Sequence, residues 1–141
     1  MVNYQRYEMK IIYTDAVIKR YELRQNLKTL YLFGDNTERR GMGGMAGEMR
    51  GEPNAIGVAT KRKPTNGQDA FYGKEDLNVF TELMQIEMAK IRYTLEKGDY
   101  DTLVIPVRIG MGRARLCSSL INVLQVHLVT LVMDLLPKVK G

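Results

Sequence analysis

The chain has one cysteine (Cys117), one histidine (His127) and no tryptophan in 141 residues. A single thiol cannot close an internal disulfide, and no paired Cys/His cluster has metal-ligand spacing. A zinc site is therefore excluded, and a reducing compartment fits best. Long apolar runs are also scarce. The longest, Leu120 to Leu136, is interrupted by Asn122, Gln125, His127 and Asp134, and it is too short to cross a bilayer comfortably, so it reads as a buried helix. Met1 to Arg20 carries charges throughout and lacks an apolar run followed by a small-residue cleavage site. No secretory signal, no membrane association and a cytoplasmic location are the expectations.

At 45% hydrophobic content the chain is the size of one domain and can bury a core without staples. A net charge of +5 and a pI near 9.3 favour anionic partners, whether nucleotide, nucleic acid or phosphorylated metabolite, without choosing between them. No repeat, low-complexity tract or linker divides the chain.

Met9 to Tyr13 reads as a strand and Val17 to Gln25 as a short helix. Thr29 to Phe33 reads as a stronger strand, stopped by Gly34-Asp35-Asn36. Met42 to Arg50 fits a short helix that begins inside a glycine cluster and ends at Gly51, and Ala55 to Thr60 fits a brief strand. From Glu75 to Lys97, Leu77, Phe80, Met84, Met88, Ile91 and Leu95 recur at three- and four-residue intervals, which predicts an amphipathic helix closed by Gly98. Thr102 to Val107 is a buried-strand run, and a final helix spans Ser118 to Leu136 with Pro137 marking its end. This alternation predicts a single α/β domain with a mixed or mainly parallel sheet flanked by helices and ligands at the carboxyl ends of the strands.

Two glycine-rich turns follow strand-like runs. The first is Gly34-Asp35-Asn36 leading to Gly41-Met42-Gly43-Gly44, and the second is Gly110-Met111-Gly112, flanked by Arg108 and Arg113. Backbone N–H groups at such turns cradle anions, and guanidinium forks match phosphate. Asp35 and Asn36 offer a carboxylate and an amide to ribose hydroxyls or an adenine edge, or else bond their own backbone as a plain turn. Neither turn has the GxxxxGK[ST] or GxGxxG spacing, so an ATPase or a nicotinamide dehydrogenase is disfavoured and no resident cofactor is expected. Lys61-Arg62-Lys63 reads as a solvated loop, an electrostatic gate or a nucleic-acid patch. His127 and Cys117 read as structural. Met42, Met45 and Met111 could form an apolar wall against a base.

The stretches LYLFGDNTERRGMGG, MRGEPNAIGVATKRKPT and IGMGRARL together resemble a small macro-domain-like family frequent in bacteriophage and bacterial genomes. The resemblance covers most of Thr29 to Leu116. It implies an ADP-ribose site with Asp35 and Asn36 near ribose or base, Gly43 and Gly44 near the distal ribose, and Gly110 to Arg113 around the diphosphate. The NAAN-like loop of macro domains is replaced here by Gly34-Asp35-Asn36-Thr37, and Met45 and Met111 stand where small or polar residues are usual.

The expected function is binding of ADP-ribose or a related NAD-derived nucleotide. If the protein is a hydrolase, Asp35 or Asn36 would orient water at the distal ribose. The alternatives are a non-catalytic sponge for a nucleotide signal and, ranked third, a nucleic-acid module, which lacks the aromatic platform of single-strand binders. The apolar last helix leaves open packing inside the monomer or against a second copy.

Overall fold

The computed structural model describes residues 9–136. The stop expected at Pro137 and the first eight residues of the Met1 to Arg20 stretch lie outside them. Elements follow in the order β1 (Lys10–Thr14), α1 (Arg20–Gln25), β2 (Thr29–Asn36), α2 (Ala46–Met49), β3 (Ala55–Lys61), α3 (Leu77–Lys97), β4 (Thr102–Pro106) and α4 (Ser118–Leu135). The four strands form one sheet in the order β1-β4-β2-β3, with every pair parallel.

Two-residue alternation along the central strands sorts side chains into two layers. Leu30 and Leu32 of β2, Val58 of β3 and Leu103 and Ile105 of β4 face α3 and α4 in the larger core. Tyr31 and Phe33 of β2 and Val104 of β4 face Leu23, Ala46 and Met49 on the other side. The α3 periodicity appears as expected, with Phe80, Met84, Met88, Ile91 and Leu95 buried. Leu77, in contrast, is exposed at the first turn. Gly98 closes α3, its N–H donating to the Thr94 carbonyl.

Among the described residues, one helix, α4, is long and apolar enough to cross a membrane by length and composition. Its Leu120, Leu124, Leu128 and Leu131 row is buried in the larger core, while Val126, Val129 and Met133 on its other flank are exposed, so the run expected to be a buried helix is buried along one face only.

Two local expectations are corrected. β2 does not stop at Phe33: β3 runs alongside and pairs Gly34 with Val58, Asp35 with Ala59 and Asn36 with Lys61, so the residues read as a turn are the last of the strand. The helix expected over Met42 to Arg50 is a single turn, Ala46–Met49. Its start is delayed by Gly44 in the left-handed region (φ +59°), and Arg50 leaves the helix with ψ 131°.

α1 is too short to be stable alone. The Lys19 N–H donates to Glu22 Oε2, Arg20 and Arg24 pair with Glu52, and Leu23 is fully buried. Asn54 fastens the α1–β2 connection, with Nδ2 2.9 to 3.0 Å from the carbonyls of Leu23, Asn26 and Thr29.

Candidate ligand pocket

A cavity of about 340 Å³ opens at the carboxyl ends of all four strands. Its wall takes Thr14 from the end of β1, Pro106 from β4, Gly34, Asp35 and Asn36 from β2, and Thr60 and Lys61 from β3. The Gly41 to Ala46 segment and the loop from Arg108 to Ala114 supply the remaining sides, so the two glycine turns share one cavity. Four strands at roughly 4.8 Å spacing make the floor about 14 Å across, long enough for an extended ligand.

The wall includes Gly34, Asp35, Asn36, Gly41, Gly43, Gly44, Arg108, Gly110, Gly112 and Arg113. It does not include Met111, whose side chain is half-exposed, or Met42; of the three methionines considered for an apolar wall, Met45 lines the cavity.

The glycines divide by what a side chain would meet. At Gly110 the backbone is left-handed (φ +84°), and a Cβ would press on Leu116 and Leu124, so this residue serves the fold. Gly43 makes room for Arg113: an added Cβ would lie 2.9 Å from the guanidinium Nη1. Arg113 thus lies across the first turn and joins it to the second. At Gly34 the nearest atom to an added Cβ is Thr60 Oγ1 at 3.9 Å, and at Gly112 there is nothing within 4 Å, so protein packing demands glycine at neither. Both instead keep cavity space open.

Asp35 and Asn36 are buried, and both are engaged. Arg50 grips the Asp35 carboxylate with Nη1 3.2 Å from Oδ2 and Nη2 2.5 Å from Oδ1, Arg39 stands 3.7 Å away, and Oδ1 also accepts the Asn36 N–H. Asn36 Nδ2 donates to the Arg40 carbonyl while Oδ1 accepts from the Glu38 N–H. These are the self-bonded contacts of a turn, and they fix the approach to the glycine cluster. Arg39 continues the network. It adopts φ +56°, donates to the Gly57 carbonyl and pairs with the buried Glu87 of α3, which also accepts the Ala59 N–H. Glu87 and Arg39 thereby cover the outer edge of β3, whose backbone groups would otherwise be unpaired.

Lys61-Arg62-Lys63 is not one patch. Arg62 packs over Tyr72 and pairs with Asp76, and Lys63 pairs with Asp69. Lys61 joins the pocket because the register slips between Asp35 and Asn36, leaving Thr60 as an extra residue and setting Lys61 opposite Asn36. Its Nζ donates to the Thr65 carbonyl and sits 4.7 Å above the Phe71 ring, while Arg115 packs on the same ring. Burial first, then the charges of Arg115 and Arg113, lower the Lys61 pKa.

At the β1 end, Arg108 Nε donates to Asp15 Oδ1 at 3.1 Å. Arg40, Arg50 and Asp15 are wall residues that the sequence did not assign to the site, and Lys61 was marked there only as part of a basic run beside it. A basic run after a strand was the one available signal for Lys61, and nothing in its spacing distinguishes Lys61 from its neighbours. His127 bonds the Val123 carbonyl of its own helix, consistent with a structural residue. Cys117 lies at the start of α4, its pKa lowered by the Ser119 hydroxyl and by nearby backbone N–H groups.

Residues 13–124 match a model described as a family of unknown function, DUF7831. The chain belongs to that family. The DUF7831 span contains every residue of the cavity wall, from Thr14 to Ala114, together with all of β2, β3, α3 and β4. No curated protein and no solved structure matches the chain.

Proposed function

We propose that this pocket binds a phosphate-bearing, NAD-derived nucleotide, with ADP-ribose as the reference ligand, and holds it in the cytoplasm without turnover. The observation that carries the reading is an excess of positive charge around one half-open cavity. Arg40, Arg50, Lys61, Arg108 and Arg113 line the cavity; Arg40 pairs with Glu38, Arg50 with Asp35 and Arg108 with Asp15. Among the described residues, neither Lys61 nor Arg113 has an ion-pair partner. Cations held together with partial desolvation repel one another, and an anionic guest relieves that repulsion. The elongated floor suits a ligand with phosphate in its middle and a sugar or base at each end, and the macro-domain resemblance points to ADP-ribose among such ligands. Retention without hydrolysis is supported by Asp35, whose two carboxylate oxygens are already bound, and by Asn36, whose amide closes its own turn.

A thermal-shift panel of ADP-ribose, cyclic ADP-ribose, NAD and AMP tests this. A ligand at a hundredfold its dissociation constant stabilises by about 2.7 kcal/mol. Gly112→Glu is expected to abolish the shift and leave the unliganded midpoint unchanged, because its Cβ enters open space. Ligand recovered intact after long incubation and denaturation supports sequestration; new products would replace it with catalysis. A panel without any response overturns the nucleotide reading.

A further inference from the structure

The lysines whose contacts are resolved have different surroundings. Lys28, Lys63 and Lys90 each lie within ion-pair distance of a carboxylate, on Asp99, Asp69 and Glu87 respectively. Lys61 is buried in the cavity wall, and its Nζ meets a carbonyl oxygen, an aromatic face and the field of two arginines. The groups facing it are Thr65 and Phe71 from the segment after β3, and Arg113 and Arg115 from the loop after β4. The Thr65 carbonyl and the Phe71 face favour the ammonium, whereas burial, the charges of Arg115 and Arg113 and, among the described residues, the lack of a carboxylate within ion-pair distance favour the neutral amine, the form in which lysine is a nucleophile toward carbonyl carbon.

We infer that Lys61 is a reactive amine which condenses with the carbonyl of a phosphate-bearing aldehyde admitted to the cavity, such as the open-chain form of a sugar phosphate. The Lys61 ammonium first gives a proton to water. The freed lone pair on Nζ adds to the carbonyl carbon, forming the C–N bond, and the π pair passes to oxygen, which takes one of the Nζ protons, directly or through water, to give a carbinolamine. Loss of that hydroxyl as water, with departure of the remaining N–H proton, leaves the imine. The balance is amine plus aldehyde to imine plus water, with no change of oxidation state. Arg108 and Arg113 supply the countercharge for the phosphate, and the lowered pKa of Lys61 makes the neutral amine available at lower pH than for an exposed lysine. The inference depends on the cavity and not on which nucleotide fills it.

The probe is pyridoxal 5′-phosphate, an aldehyde that carries its own phosphate, added to the full chain and reduced with borohydride so that the imine becomes a stable secondary amine. Peptide mass mapping should place more phosphopyridoxyl label on Lys61 than on any other lysine. Pyridoxal without the phosphate should label Lys61 less, and inorganic phosphate should compete. Lys61→Arg, which keeps the cation, should lose that label while retaining its thermal midpoint, and Lys63→Arg should label as the parent does. Label spread evenly over the lysines, or Lys61 labelled no faster than Lys63, overturns the inference. Label at Lys61 in a protein that no nucleotide stabilises would sustain it and end the nucleotide reading; a nucleotide response without such label would do the reverse.

Discussion

Lys61 is held where its charge is unfavourable. Its pKa is lower in the folded chain than in the unfolded one, so between those two values the unfolded state binds more protons and stability rises with pH. Lys61→Met should therefore flatten that rise in alkaline melts, raise the midpoint of the unliganded protein at neutral pH, and remove much of the nucleotide response. A lower midpoint for the unliganded variant would show that the Phe71 and Thr65 contacts outweigh the cost of desolvation. Gly57 is the opposite case, a residue required by its neighbour: an added Cβ would collide with the Asp35 carboxylate. Gly57→Ala is expected to lower stability by about 1–3 kcal/mol in urea titration, and to weaken the nucleotide response as Asp35 moves against Arg50. The sequence singles out Asp35, since a carboxylate next to a strand-end glycine invites a ligand or a turn. Its partners are not singled out, because Arg39 and Arg50 reach it through a bend in the chain that no local pattern encodes.

The same division appears among the elements. α3 was legible from apolar spacing because a helix that buries one stripe must repeat it every three or four residues, and α4 from its long apolar run ahead of Pro137. Glu87 was not, since a charged residue within that stripe signals burial only once the bare edge of β3 is placed beside it. Phe80 packs edge-on to Tyr72 where the first turn of α3 enters the larger core, and Phe80→Ala should cost about 3–5 kcal/mol. β2 read short because Gly34, Asp35 and Asn36 favour turns, and their pairing with β3 is a tertiary effect that overrides propensity. α1 is held by ion pairs rather than by its own helix strength. The guanidinium groups of Arg24 and Arg20 depress the Glu52 pKa, so their stabilisation is present above the ordinary glutamate value and is lost as pH falls through the depressed one. Glu52→Gln should accordingly be less stable than the parent at neutral pH and converge on it in acid, a comparison that thermal melts across the carboxylate range would make.

For the molecule as a whole, the rule that ligands gather at the carboxyl ends of parallel strands is enough to bring the two glycine turns together, and they share one cavity. That rule follows from the alternation of strands and helices, which the sequence displays openly. The basic character of the chain was less informative, because much of the charge is consumed internally: Arg20, Arg24, Arg39, Arg62 and Lys63 all pair with carboxylates. What remains in the cavity is local, so raising ionic strength should weaken nucleotide binding only modestly compared with the steep loss typical of a protein spread along a nucleic-acid backbone. The sheet order has one more consequence, for the growing chain on the ribosome. β1 is made first, yet its ladder partner is β4, some ninety residues later. Until that strand emerges, Thr14 and Asp15 have no neighbour to position them and one bank of the cavity does not exist. A nascent polypeptide ending before residue 102 should therefore be unable to capture a guest, and ligand can assist folding only once β4 has emerged.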